Sequence, residues 1–148
     1  MEDRRTERFH GVDDRGGCRY VVALDTLAGA RVFVSRDAVA LVSAQFLRAA
    51  AEERVEILTY CFMPDQARML VERLNREGDA RAFVASARRY SARCYYARTR
   101  RALWHRDSVA CVLPDAREAL EVSRGMRANW YSGSFAWDRV AALATARP

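Results

Sequence analysis

Apolar and polar positions follow two periods along this chain, and the switches between them mark its elements. From Cys18 to Leu27 (CRYVVALDTL) β-branched and aromatic residues dominate, and the run ends at Ala28-Gly29, which predicts a first strand closed by a turn. Val39, Val42, Phe46 and Ala49/Ala50 then recur on one helical face, with Ser35 placed to cap the helix and Glu52-Glu53-Arg54 to end it. Val55 to Phe62 (VEILTYCF) alternates as a strand, and after Met63-Pro64-Asp65 a second apolar stretch, Ala67 to Leu74, can run back antiparallel beside it. Asn75 to Asp79 is a polar break containing Gly78. A second helix is predicted over Ala80 to Ala97, where Phe83, Ala87, Tyr90 and Cys94 form a stripe at the 3.6-residue period. Asp107 to Leu113 (DSVACVL) predicts a fourth strand, and Ala119, Val122 and Met126 place a third helix between Asp115 and Asn129, with acids in its first turn. The order β-α-β-β-α-β-α, with hairpin logic in the middle, gives an α+β fold. Its antiparallel sheet carries helices on one face and leaves the other available to a ligand.

The chain has 148 residues, 51% of them hydrophobic and 30% charged. That suits one ordinary domain large enough to bury a core without disulfides or a structural metal. The domain is read as residues 18–135, between a flexible charged N-terminal tail (1–17) and a C-terminal tail (136–148). Residues 1–17 hold no hydrophobic run of the secretory kind, and every later apolar run is broken by Arg, Asp or Glu. A cytoplasmic protein without a membrane partner is therefore expected. Cys18, Cys61, Cys94 and Cys111 are widely spaced and form no C-x-x-C pair, so they read as reduced thiols rather than as a zinc site.

Charge changes the picture more. The formal net charge is +6, and all 25 basic residues are arginine. Between Arg81 and Arg106 stand eight arginines (81, 88, 89, 93, 98, 100, 101 and 106) and no acid, interleaved with Tyr90, Tyr95, Tyr96 and Trp104. This window holds more positive charge than the whole chain's excess, so the molecule is electrically lopsided, as a binder of polyanions would be. Tyr95 and Tyr96 cannot both point inward from one helix. One ring is left for base stacking, worth about 1–3 kcal/mol per base. The alternative, a solvated helix face with core aromatics, lacks the acids that would normally pair with such arginines.

At Tyr60-Cys-Phe-Met-Pro-Asp-Gln-Ala-Arg-Met-Leu-Val71 the chain resembles the HUH-type single-tyrosine transposases, in particular the REP-associated tyrosine transposases. In that family a strand ending in Met-Pro runs into Asn-His-x-His-Leu-Leu-Val. The resemblance extends from Tyr20 to about Gly133. Tyr20-Val-Val-Ala-Leu-Asp-Thr is similar to the family's first strand, Ala82 to Ala97 to its basic helix, and Leu103-Trp104-His105-Arg106 to its Leu-Trp-Gln-x-x-Phe segment. Ala119 to Asn129 looks like the helix that leads into Tyr-Ile-x-x-Asn-Pro. The resemblance implies the fold already read from the pattern, with DNA as partner and a homodimer as one assembly.

The family's chemistry does not carry over. There, two histidines on one strand face hold a divalent metal on the scissile phosphate, and a helix tyrosine attacks it. Here those positions are Gln66 and Arg68, and aligning Asn129 with the family's Asn-Pro puts Gly125 where the tyrosine belongs. Arginine cannot become a ligand, and its charge about 4 Å from a dication would cost on the order of 8 kcal/mol at an effective dielectric near 20. The resemblance therefore implies a vestigial catalytic centre at Asp65, Gln66, Arg68 and Gly125, with no cofactor and no metal. Tyr131 is the nearest phenol and the one candidate for a displaced nucleophile. Arg68 reads either as a phosphate clamp where the metal once sat or as a strand-surface ion pair with Glu56 or Glu72; Asp65 reads as a turn residue.

The function expected is binding of hairpin or single-stranded DNA without cleavage. Arg81, Arg88, Arg89, Arg93, Arg98, Arg100, Arg101 and Arg106 supply the basic surface, Tyr95, Tyr96 and Trp104 stack or pack, and His105 packs or meets a phosphate. Two alternatives stand beside it: an active transposase or endonuclease using displaced residues, and a protein-interaction module on a transposase fold.

Overall fold

The computed structural model describes residues 7–10, 19–75, 77–113 and 135–138. In chain order these form β1 (Glu7–His10), β2 (Arg19–Thr26), two short 3-10 turns, α1 (Arg36–Glu52), β3 (Val55–Met63), β4 (Gln66–Arg73), α2 (Ala80–Thr99), β5 (Trp104–Leu113) and β6 (Phe135–Asp138). One sheet takes all the strands in the order β1-β5-β2-β4-β3-β6. Its pairings are antiparallel except where β1 lies parallel to β5. The expected α+β architecture with an antiparallel central sheet is thus the observed one, while the third helix expected over Asp115 to Asn129 lies outside the described residues.

Local chemistry explains the boundaries. Ser35 caps α1 by accepting from the Ala38 amide at 3.4 Å, and Asp79 caps α2 by accepting from the Ala82 amide at 3.0 Å. Asp79, read only as part of a polar break, is therefore a helix start. Thr26 is buried at the end of β2; its hydroxyl donates to the Ala30 carbonyl and its amide to the Asp65 carbonyl, tying the exit of β2 to the β3–β4 turn. β5 starts at Trp104 rather than Asp107. The sheet also gains β1 and β6 at its edges, four residues each. Short, charge-bearing edge strands carry no apolar alternation for a pattern to register.

Burial alternates along β2, with Tyr20, Val22 and Leu24 inward and Arg19, Val21, Ala23 and Asp25 on the other side. The register sets Val22 beside Met69 and Leu24 beside Ala67, and it continues the same face to Tyr60 and Phe62 on β3. Both helices pack on this face, α1 through Val42, Phe46 and Ala49 and α2 through Phe83, Val84 and Ala87. The stripe of α2 is rotated from the expected one: Ser91 is fully buried, whereas Tyr90 and Cys94 are only partly so. Trp104 is the cause. Its indole lies 5.7 Å from the Phe33 ring and 6.0 Å from the Phe46 ring, and its Nε1 donates to Ser91 Oγ at 2.9 Å. Ser91 Oγ in turn donates to the Ala87 carbonyl at 2.6 Å. The opposite sheet face, expected to stand open, is closed over its middle, where Thr59, Cys61 and Leu70 are each no more than 1% exposed.

Removing this indole should cost most. Trp104→Ala is expected to lose about 3–5 kcal/mol of unfolding free energy, and Trp104→Phe, which keeps a ring and drops the bond to Ser91, about 1–2 kcal/mol. Urea unfolding followed by circular dichroism measures both. Equal losses would show that the hydrogen bond, not ring packing, holds α2 in place.

Candidate nucleic-acid interface

Because α2 turns Phe83, Val84, Ala87 and Ser91 inward, its arginines face out. Arg81, Arg89, Arg93 and Arg98 on the helix, and Arg100, Arg101 and Arg106 beyond it, are all exposed. Arg88 is different. It is half-buried, and its guanidinium donates to the carbonyls of His105 at 2.8 Å and Arg106 at 3.0 Å, strapping the start of β5 to the helix. Its place in the expected phosphate-binding set is therefore taken by a structural contact.

The aromatic residues divide in the same way. Trp104 is buried in the core and packs rather than stacks on a ligand. Tyr95 is half-buried against the core, whereas Tyr96 is 52% exposed. His105 is exposed, and its Nδ1 accepts from the Asp107 amide at 3.1 Å. Tyr90 donates its hydroxyl to Glu52 and lies under the Arg48 guanidinium, 3.9 Å from the ring centroid. That hydrogen bond, followed by the charges of Arg48 and Arg89, holds the Glu52 carboxyl below its usual range. Sequence reading missed this α1–α2 clasp because Arg48 and Glu52 sit on a different helix from Tyr90.

A groove of about 810 Å³ runs beside α2 to residues 102–104. Arg88, Arg89, Arg93 and Arg100 line it together with Tyr96 and several alanines, and no acidic residue among the described residues does. A smaller recess of about 330 Å³ lies between α2 and the start of α1, lined by Tyr95, Arg31, Arg98 and Asp37 among others. Arg31 lies in a segment without periodic pattern, and only the α1–α2 packing brings it to Arg98.

Gln66 and Arg68 occupy the other side of the sheet. They share a face as the strand period requires, since Gln66 pairs with Asp25 and Met63, and Arg68 with Ala23 and Cys61. Gln66 donates its amide to Asp25 Oδ1 at 2.7 Å, and Asp65 is exposed in the turn. Arg68 sits beside the Cys61 thiol, whose pKa burial pushes up while the Arg68 charge pulls the other way. No ion pair of Arg68 occurs among the described residues. Glu56 and Glu72 pair with each other across β3 and β4, four positions along the strand from Arg68, about 13 Å at the usual rise. Glu72 instead meets Arg19 at 3.4 Å. Ion pairing with Glu56 or Glu72 is thereby corrected.

These donors do not suit a divalent cation: a neutral amide already bonded to a carboxylate, a fixed guanidinium and a protonated buried thiol. The sheet also separates Arg68 from the α2 groove, so the structure does not bring the two parts of the expected site together. Gly125 and Tyr131 lie outside the described residues.

Two solved structures are similar to this chain in fold. A Deinococcus radiodurans protein described as a transposase matches with a TM-score of 0.55 at 18% identity, over 74% of this chain and 88% of its own. A REP-associated tyrosine transposase bound to a REP hairpin matches with a TM-score of 0.61 at 7% identity, over 78% of this chain and 70% of its own. The chain therefore has a tyrosine-transposase-like fold. No family model matches the sequence, and no curated protein does either.

Arg88→Ala should lower the unfolding free energy by about 1–2 kcal/mol through the loss of two charged donor bonds to carbonyls, whereas Arg93→Ala should change it by less than about 0.5 kcal/mol; thermal melts compare them. Cys61, about 1% exposed with its thiol pKa raised, should resist iodoacetamide at pH 8 under native conditions, while the half-buried Cys94 reacts. Peptide mapping by mass spectrometry distinguishes the two. Faster labelling of Cys61 would mean that the Arg68 charge outweighs burial.

Proposed function

We propose that this protein binds hairpin or single-stranded DNA through the basic surface of α2 and the segment after it, and that it does not cleave the DNA. The observation that carries this reading is the run of arginines from 81 to 106, all exposed but Arg88 and without a single acid among them, around a groove lined by four arginines and an exposed tyrosine. Guanidinium groups are matched to phosphate oxygens. The likeness in fold to a transposase bound to a REP hairpin supports DNA as the polyanion. Gln66 and Arg68 support the loss of cleavage, because neither can hold the metal that the resemblance implies at those strand positions. Arg89, Arg93, Arg98, Arg100 and Arg101 are the phosphate contacts in this reading, and Arg68 is a relic on the far face.

Fluorescence anisotropy against a labelled hairpin, its single-stranded scramble and a matched duplex tests the binding. For a single strand neutralised at five phosphates, affinity should fall about 100-fold between about 50 and 200 mM salt. Each of Arg89→Ala, Arg93→Ala and Arg101→Ala should reduce the log–log slope by about 0.7–0.9. Incubation with magnesium or manganese should yield no covalent protein–DNA adduct on a denaturing gel. A tyrosine-linked adduct would overturn the loss of cleavage, and an absence of binding at the lower salt would overturn the DNA reading.

A further inference from the structure

The C-cap of α2 is Arg100, in the left-handed region at φ 60° and ψ 23°, with its amide bonded to the Tyr96 carbonyl. Glycine adopts this backbone with the least strain and is the usual residue there. The chain instead places a long cation at the turn. That choice lays the Arg100 guanidinium 5.7 Å from the Tyr96 ring centroid, within the groove that Arg93 also lines. Between these groups the lining is Ala92, Ala97 and Ala102, side chains too short to fill the space. The result is a slot lined by an exposed tyrosine, alanine methyl groups and four arginines, and its volume of about 810 Å³ falls within the usual range for small-molecule sites.

A flat object with apolar faces and a negative charge at one end complements that slot. A nucleotide has this form only when its base is unpaired, because in a duplex each base face is covered by its neighbours and only the backbone is offered. Bases stack on aromatic side chains whatever their identity, and two guanidinium groups suit the flanking phosphate. We infer that the α2 groove is a receptor for an unpaired nucleotide: the base lies against Tyr96 and its phosphate is held by Arg93 and Arg100. This rests on the proposed DNA binding and deepens it. The feature that the protein reads is then a single-stranded segment, and the residue at the helix end is kept for its charge at the expense of backbone ease.

Anisotropy with an oligothymidine strand and a blunt duplex of equal length, at about 50 mM salt where phosphate contacts are strong, tests the inference in the intact protein. Tyr96→Leu should reduce the ratio of single-strand to duplex affinity about 5- to 150-fold, the span corresponding to the loss of one stacked base, while Tyr96→Phe should keep it within about twofold of the parent. Arg100→Gly should weaken oligothymidine binding yet raise the melting temperature by about 2–3 °C, since it relieves the left-handed residue. An unchanged ratio in Tyr96→Leu, with binding otherwise intact, would overturn the receptor and leave the DNA function standing. So would a fall in both melting temperature and affinity in Arg100→Gly. If the parent protein bound neither oligonucleotide, the inference would fall together with the function beneath it.

Discussion

The position of the Trp104 indole decides which residues the rest of the molecule can present. It fills the corner where β5 meets α1 and α2, touching Phe33 and Phe46, and its one polar atom is satisfied by Ser91 in a fully buried bond. A buried indole N–H without a partner would carry a desolvation cost, so the serine and the tryptophan constrain each other. With Ser91 held inward, α2 can rotate very little about its axis. The outward arcs are then settled: Arg89 and Arg93 on the surface, Tyr96 over the groove, Tyr95 against the core. Arg88 completes the lock from the other side by gripping two carbonyls at the start of β5. The basic surface is consequently a rigid one, built on a helix that is fixed at both its core stripe and its flank.

Physical separation of the two chemical regions follows from the same packing. The helices occupy one face of the sheet, whereas the alternation of β4 sends Gln66 and Arg68 to the other. On that face the side chains satisfy one another locally. Gln66 meets Asp25, Glu72 meets Arg19, and Cys61 lies buried beside Arg68. The amide–carboxylate bond between Gln66 and Asp25 joins β4 to β2 across this face.

The strands and helices from Arg19 to Thr99 were legible in the sequence because their apolar residues recur at the two regular periods, from Tyr20, Val22 and Leu24 to Val39, Val42 and Phe46. Capping by Ser35 was legible for the same local reason. What escaped was set by contacts distant in sequence. The inward turn of Ser91 depends on Trp104, the bond from Gln66 depends on the β2–β4 register, and the Tyr90–Glu52 clasp depends on how two helices pack. Edge strands such as Glu7–His10 escaped because pairing with β5, not an apolar pattern, defines them. For the candidate interface, composition located the arginines and the tyrosine pair, but it had no means of telling Tyr96 from Tyr95, or Arg88, which is held by carbonyls, from Arg93, which is exposed.

That distinction bears on why so many cations stand together. Apart from Arg88, folding gains little from them: the core of α2 is made by Phe83, Val84, Ala87 and Ser91, and the helix cap by Asp79. Like charges a few residues apart on a helix lie well within a Debye length of each other and repel. Between Arg81 and Arg106 the sequence holds no acidic residue, and among the described residues Glu52 meets the segment at Tyr90 and Glu53 meets it at Ser86. An outside polyanion would relieve that repulsion. On the proposed reading, DNA binding neutralises the exposed arginines of this segment and releases the counterions condensed on the phosphates.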